Sequence, residues 1–385
     1  YGTPERDYFD NLERFTLFSR AVLEAACAMG LRPDVVHAND WQTGLVPLYI
    51  KHLYRGEACF RDTATLLTIH NSAFQGLFSA DDYSLLGLSP RLFTPAGLEY
   101  WGQISLLKAG LVSADIVTTV SPGYCREIKT ARYGSGLEGL YKARSKDLYG
   151  VINGVDYSEW DPSTDPLIPA RYSPSQLAGK RECRKALLET FGLKIKETTA
   201  VVGMVTRLTG QKGIDLVIKA MPKLMELDLT LVIVGTGDKK LEAQLRAASK
   251  KFEGRVGLKI AFDNSLAHLI EAGSDMFLMP SRYEPCGLNQ IYSHKYGTIP
   301  VVRATGGLND TVRDYNGEER PTGFKFKRLS APALVTAVSS AVEVFRDKKK
   351  WAKLQQTAMK EDFSWAVSAR RYMELYGLAM GKQRV

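Results

Sequence analysis

Residues 199–213 read Thr-Ala-Val-Val-Gly-Met-Val-Thr-Arg-Leu-Thr-Gly-Gln-Lys-Gly, and their reading decides the fold. The first half is a short apolar run rich in β-branched residues, without the alternation of a half-solvated strand. The second half is polar and closes on glycine, and an amphipathic stretch follows at Ile214–Leu227. A strand buried on both faces, then a polar turn, then a helix is the repeating element of a parallel sheet. The pattern recurs onward, with strands predicted at Thr230–Gly235, Gly257–Phe262, Asp275–Met279 and Ile299–Arg303. Helices are predicted at Lys239–Lys250, Leu266–Gly273 and Gly287–Tyr296. It recurs backward as well, with strands at Asp34–His37, Ala64–His70, Asp115–Val120 and Asp147–Ile152 and helices at Phe15–Met29 and Trp101–Val112. Right-handed crossovers join such strands, so the fold class is α/β, doubly wound.

A turn-rich stretch, Asn153-Gly154-Val155-Asp156 followed by Asp161 to Pro174, has the composition of a linker. The expected division is a first domain over residues 1–152, a second over 153–362, and a terminal segment over 363–385. The last helical pattern, Ser364–Met380, follows a break at Glu361-Asp362-Phe363 and is expected to dock elsewhere. The chain enters a helix-like stretch directly from Tyr1, and no Gly-rich strand-to-helix turn precedes Asp34. The first domain therefore reads as incomplete, without its leading strands.

Of 385 residues, 45% are apolar and 24% charged, which excludes a disordered, collagen-like or disulfide-scaffold chain. No uncharged apolar run reaches the ~18 residues of a membrane span, and no basic-then-apolar leader opens the chain. A soluble, intracellular protein without a membrane partner is expected. The five cysteines, Cys27, Cys59, Cys125, Cys183 and Cys286, are widely spaced and form no Cys-x-x-Cys pair. Neither a disulfide framework nor a zinc site is expected from them. The five histidines form no His-x-x-x-His pair, so chemistry without a protein-held metal is expected.

The net charge of +9 is uneven: residues 1–150 hold 15 Lys+Arg against 16 Asp+Glu, and residues 151–385 hold 36 against 26. The basic excess suits an anionic ligand such as a nucleotide diphosphate. Runs such as Arg346 to Lys350 also read as a solvated lysine-rich surface. No nucleic-acid partner is expected, since that would concentrate charge on one face.

Five motifs sit at the C-terminal ends of predicted strands, where open α/β sheets bind ligands. In the first, Arg207 and Lys212 flank a Gly-bounded loop; together they suit a departing diphosphate, or are two solvated cations. The second, Gly235-Thr236-Gly237-Asp238, fails the dinucleotide fingerprint because Lys240 stands at the third glycine position. The third, Pro280-Ser-Arg-Tyr-Glu-Pro-Cys-Gly-Leu288, holds Glu284 between stiffening residues beside a helix start. That carboxylate could accept sugar hydroxyls, stabilise a cationic transition state, or merely complement the helix dipole. Cys286 lacks a nearby histidine in sequence and reads as a packing or positioning residue. The fourth is Thr305-Gly306-Gly307-Leu308, an anion seat or a plain turn with its cap. The fifth pairs His37-Ala-Asn-Asp40-Trp41 with Thr68-Ile-His70-Asn71, where Asp40, Trp41 and His70 suit sugar hydroxyls and an aromatic plate. His37 reads as structural. No G-x-S-x-G elbow, Walker-A loop or HExxH occurs.

Taken together, Ser281-Arg-Tyr-Glu-Pro-Cys-Gly-Leu288, Arg207 with Gln211-Lys212-Gly213, Thr305-Gly-Gly-Leu308, Asn39-Asp-Trp41 and Thr68-Ile-His-Asn-Ser-Ala-Phe-Gln-Gly76 resemble the bacterial glycogen synthase and plant starch synthase family. The resemblance runs from about Pro33 to Trp365 in the family's order. It implies a GT-B fold, two Rossmann-like domains facing across a cleft, with a final helix crossing back to the first. It implies retaining transfer of glucose from ADP-glucose to the non-reducing end of an α-1,4-glucan, with no metal and no cofactor beyond the nucleotide sugar. Arg207 and Lys212 would neutralise the departing diphosphate, and Glu284 would sit at the sugar with Cys286, Gly287 and Leu288 completing its loop. His70 and Asp40 would contact the donor glucose, Asn153 would line the cleft, and Thr305, Gly306 and Gly307 would contact the pyrophosphate. A second suitably placed carboxylate is not evident, which favours front-face departure over a covalent intermediate. The resemblance implies a cytoplasmic protein in a bacterium or a plastid one in a plant. The family's Lys-x-Gly-Gly-Leu motif is not found in this chain. The alternatives are a GT-B transferase using UDP-glucose or another acceptor, and a non-catalytic glucan-binding relative. A dehydrogenase is disfavoured by the failed fingerprint, and a phosphorylase by the lack of an assignable cofactor-bearing lysine.

Overall fold

The computed structural model describes residues 1–3 and 6–383, and these divide into two units, the described residues up to 152 with 368–383 and residues 153–367. The strands of the first unit are β1 (Val35–Asn39), β2 (Ala64–Ile69), β3 (Leu77–Ser79), β4 (Glu99–Tyr100), β5 (Gln103–Ser105), β6 (Ile116–Thr119) and β7 (Leu148–Gly150). Strands β1, β2, β6 and β7 pair in that order, all parallel, and β3, β5 and β4 form a small antiparallel sheet. Every residue of β2 and β6 is buried, which is why these runs are continuously apolar or Thr-rich. The terminal helix Trp365–Gln383 contributes to this unit from Ser368 onward, seating Leu375 and Ala379 against Ala64, Leu66, Ile116 and Val151.

The second unit carries β8 (Ala200–Val205), β9 (Leu229–Val234), β10 (Val256–Lys259), β11 (Met276–Met279), β12 (Ile299–Arg303) and β13 (Phe324–Phe326). They pair in parallel in the order β10-β9-β8-β11-β12-β13. This is the doubly wound order of a dinucleotide-binding sheet, whose direction reverses between β8 and β11. Alternate residues of each strand feed opposite layers. Val202, Met204, Leu231, Ile233 and Leu278 face the helices Ile214–Leu224 and Ala331–Arg346. Val201, Val232, Val234, Phe277 and Met279 face Ala178–Thr190 and Asn264–Gly273. Both faces are covered, so the strands lack a polar side.

Three local expectations change. The helix expected at Trp101–Val112 starts only at Leu106 and ends at Ser113; Trp101 and Gly102 instead turn the β4–β5 hairpin, both with positive φ. Strand β13, three residues long, left no readable run in the sequence. Cys27 and Cys59, expected free, are joined as a disulfide with Cα atoms 5.5 Å apart. The cause is topological. Cys27 ends the helix that leads into β1 and Cys59 precedes β2, and β1 and β2 are neighbouring parallel strands, so the segments entering them lie side by side.

Candidate active site

In the second unit, two loops meet at the reversal point of the sheet: residues 206–213 after β8 and 280–288 after β11. Gly213 makes their contact possible. It has φ 73°, and a Cβ there would lie 2.3 Å from the Pro280 carbonyl oxygen. Across this seam Arg282 N–H donates to the Gln211 carbonyl at 2.7 Å, and the Arg282 guanidinium grips Asp215 through two bonds of 2.8 Å. That pairing draws the Asp215 carboxyl below its ordinary range, the hydrogen bond from Arg282 being the largest cause. Asn289 Nδ2 ties the later loop to the Val205 carbonyl at 2.7 Å.

The seam brings two of the candidate residues together. Lys212 Nζ lies 2.6 Å from Glu284 Oε2, which also accepts from Ser281 Oγ at 2.9 Å. The Glu284 carboxylate is thus fixed by a cation and a hydroxyl in a nearly buried setting, 5% exposed. Arg207 lies in the same loop as Lys212 with its side chain exposed, and among the described residues its guanidinium makes no hydrogen bond or ion pair. Gly287 takes a left-handed φ of 75°, Leu288 is 36% exposed, and the helix begins at Asn289, not at Gly287 as expected. Cys286 is buried, and burial pushes its thiol up to about 12, although the backbone N–H of Asn153 faces its sulfur. It is therefore not a thiolate nucleophile. Thr305 and Gly306 open a short helix, and the Gly307 N–H donates to the Glu284 carbonyl at 3.0 Å. Lys212, Glu284, Cys286, Asn153 and Thr305–Gly307 therefore gather at one sheet edge.

In the first unit, Asp40 follows β1 and His70 follows β2. The two strands are adjacent, so the residues meet: His70 N–H donates to Asp40 Oδ1 at 2.7 Å, and His70 Nε2 lies 3.0 Å from Asn39 Oδ1. Asp40 has φ 56°, a conformation costing a non-glycine residue ~1–3 kcal/mol. Its own N–H donates to the Thr68 carbonyl at 2.8 Å, which helps to hold that conformation. Burial raises the Asp40 carboxyl, and the neighbouring His70 works against that shift. Trp41 differs from the open plate expected. It is 4% exposed and enclosed by Tyr1, Phe15 and Phe78, with Gly76 against its face. Its ring supports the corner from below. His37 lies between Thr68 Oγ1 at 2.6 Å and Tyr376 Oη at 2.8 Å, and burial pushes its imidazole down to about 4.

The sequence reading gave no role to Arg303 or to the Arg282–Asp215 pair. Arg303, buried at the end of β12, donates through Nε to the Ser281 carbonyl at 2.6 Å and through its guanidinium to the Arg282 carbonyl, holding the Glu284 loop from behind. A cation ending a buried strand just before Thr305-Gly-Gly was the available signal. Phe262, exposed at 95% after β10, also passed unnoticed.

Comparison with known proteins is consistent with this arrangement. The family profile described as "Starch synthase catalytic domain" matches residues 1–143, and that described as "Glycosyl transferases group 1" matches residues 188–360. A glycogen synthase of Anaeromyxobacter dehalogenans (strain 2CP-C) is 47% identical over 376 residues, covering 98% of this chain and 79% of the relative. The catalytic domain of starch synthase IV from Arabidopsis thaliana, solved with ADP and acarbose, superposes with a TM-score of 0.92 at 34% identity, covering 98% of this chain and 79% of that one. A sucrose-phosphate synthase from Thermosynechococcus elongatus shares the fold alone, with a TM-score of 0.60, 18% identity, and 95% and 78% coverage. The chain belongs to the glycogen and starch synthase family of GT-B glycosyltransferases.

Proposed function

We propose that the chain transfers glucose from ADP-glucose to the non-reducing end of an α-1,4-glucan, with retention and without a metal or further cofactor. The observation that carries this reading is the Lys212–Glu284 pair, 2.6 Å apart at the reversal point of a nucleotide-binding type of sheet. The names of the relatives and the ADP and acarbose bound to the plant catalytic domain support it. As the sugar–phosphate bond breaks, negative charge grows on the departing diphosphate. Lys212 and the exposed Arg207 offer it two cations, and the Thr305–Gly307 turn lies against the Glu284 loop beside them. Glu284 sits at the sugar, where its fixed carboxylate favours the cationic transition state. Asp40, His70 and Asn39 hold sugar hydroxyls on the first unit. Asp215, on the same seam, is held by Arg282, and with no second carboxylate paired with Glu284 among the described residues the reading favours attack of the acceptor hydroxyl from the face the diphosphate leaves. The protein acts in the cytoplasm; among the described residues no helix is long and apolar enough to cross a membrane.

The test is ADP release from ADP-glucose with and without glycogen. Release that needs glycogen and is lost in Glu284→Ala supports the reading, and UDP-glucose as competing donor fixes the nucleotide. No release with ADP-glucose in either condition overturns the donor assignment.

A further inference from the structure

We propose that Trp101, at the tip of the β4–β5 hairpin, is a stacking platform for a length of α-1,4-glucan, a site that extends the proposed glucan-transfer reading and rests on it. The hairpin turns through Trp101 and Gly102 between the paired residues Tyr100 and Gln103, and their φ values are 51° and 79°. A two-residue turn with positive φ at both positions favours Asn or Gly at the first, because larger residues strain there. Trp is a poor local choice, and burial does not explain it either. The side chain is 84% exposed, and among the described residues its ring meets no other aromatic ring or cation. A residue that neither the turn nor the core favours is accounted for by a contact outside the chain.

The surroundings select a sugar polymer. Gln103, which ends the turn, and its cross-strand partner Ser79 are both exposed; the Ser79 hydroxyl donates to Asp81 Oδ2 at 3.3 Å and accepts from the Asp81 N–H at 3.2 Å. Glu99 is occupied by the Gly102 N–H at 2.6 Å. An exposed aromatic plate on a hairpin edge that also carries a carboxamide, Gln103, and carboxylates, Glu99 and Asp81, matches the apolar face and hydroxyl edge of a pyranose ring. The sheet is also continuous with the Asp40–Trp41 corner. Phe78 of β3 packs on Trp41 with ring centroids 5.9 Å apart, and Phe74, 48% exposed, lies just before β3. A glucan held at that corner can run along the small sheet to Trp101.

The experiment is affinity electrophoresis of the whole chain through gels containing glycogen, or dextran as the α-1,6-linked control, for the wild type, Trp101→Asn and Trp101→Tyr. Expected is glycogen-specific retardation of the wild type, weakened about fivefold or more in Trp101→Asn and largely kept in Trp101→Tyr. Because Asn suits the turn, Trp101→Asn keeps or raises the melting temperature, so its loss of binding is not a loss of fold. Equal retardation of Trp101→Asn and wild type overturns the proposal, as does a change confined to oligomeric state. Glucose transfer to maltotriose by the wild type is assayed alongside. Transfer with equal retardation removes the platform alone, whereas neither transfer nor retardation by the wild type removes both readings.

Discussion

Lys212 and Glu284 are 72 residues apart in sequence and 2.6 Å apart in space, and each lies in the loop that follows a strand flanking the reversal of the second sheet. The pair depends on a seam that neither residue makes: Gly213 against Pro280, Arg282 on Asp215 and Arg303 on the Ser281 carbonyl.

Lys212→Ala removes a charge-stabilising donor and leaves Glu284 nearly buried with only Ser281 as side-chain partner. Turnover falls by ~10²–10³, and stability falls by roughly 1–3 kcal/mol. Adding Glu284→Gln restores much of that stability without restoring turnover. Kinetics and thermal melts of the two single variants and the double variant check this, and additive losses of stability would remove the coupling.

Cys286 is a packing residue. Its thiol, pushed up to about 12 by burial, stays protonated at pH 8. Iodoacetamide leaves it unmodified in the folded protein at that pH, and Cys286→Ala retains transfer within about tenfold, measured by ADP release. Stoichiometric alkylation with parallel inactivation would contradict this.

Acid weakens the second unit through His294. The imidazole is fully buried, stacks on Phe363 and is pushed down to about 4 by burial, with Glu361 acting against the shift and Arg313 with it. From the ordinary 6.5 down to about 4 the unfolded chain binds a proton that the folded chain does not. The stability due to neutral His294 is therefore full above pH 6.5 and declines as pH falls through that window. His294→Leu shows a shallower fall of melting temperature between pH 6.5 and 4.5 than the wild type; superposable profiles would exclude the effect.

The disulfide encloses β1 and the Asp40–Trp41 corner. Closing a loop with a sequence separation of 32 contributes about 3–4 kcal/mol on the chain-entropy account. Reduction, or Cys59→Ser, lowers the melting temperature of the first unit by roughly 5–10 °C. Thiol titration of the denatured, unreduced protein is expected to find three free cysteines, Cys125, Cys183 and Cys286.

The sheets were legible because their strands are buried on both faces, so Thr199–Thr206 and its counterparts read as unbroken apolar runs. Arg207, Lys212, Glu284, Asp40 and His70 stood out as candidates because such sheets place ligands at strand ends, and the structure brings Lys212 to Glu284 and His70 to Asp40. What escaped was whatever depends on a neighbour remote in sequence. Trp101 and Gly102 lie within a helical-looking pattern, yet backbone sign and cross-strand pairing with Gln103 make them a turn. Cys27 and Cys59 gave no spacing signal, and the enclosure of Trp41 needed Phe15 and Phe78, which come from separate segments.

The seating of Leu375 and Ala379 on the strands of the first unit bears on how the protein is made. Synthesis proceeds from the N-terminus, so the ribosome delivers Ala64, Leu66 and Ile116 long before the helix that covers them. Residues 153–367 emerge in between and carry both layers of their own core. The second unit can therefore finish folding during translation, while the first keeps an apolar sheet face open until the helix Trp365–Gln383 has left the exit tunnel. A stalled or prematurely released nascent chain exposes that face, and chaperone engagement is expected to concentrate on the N-terminal unit.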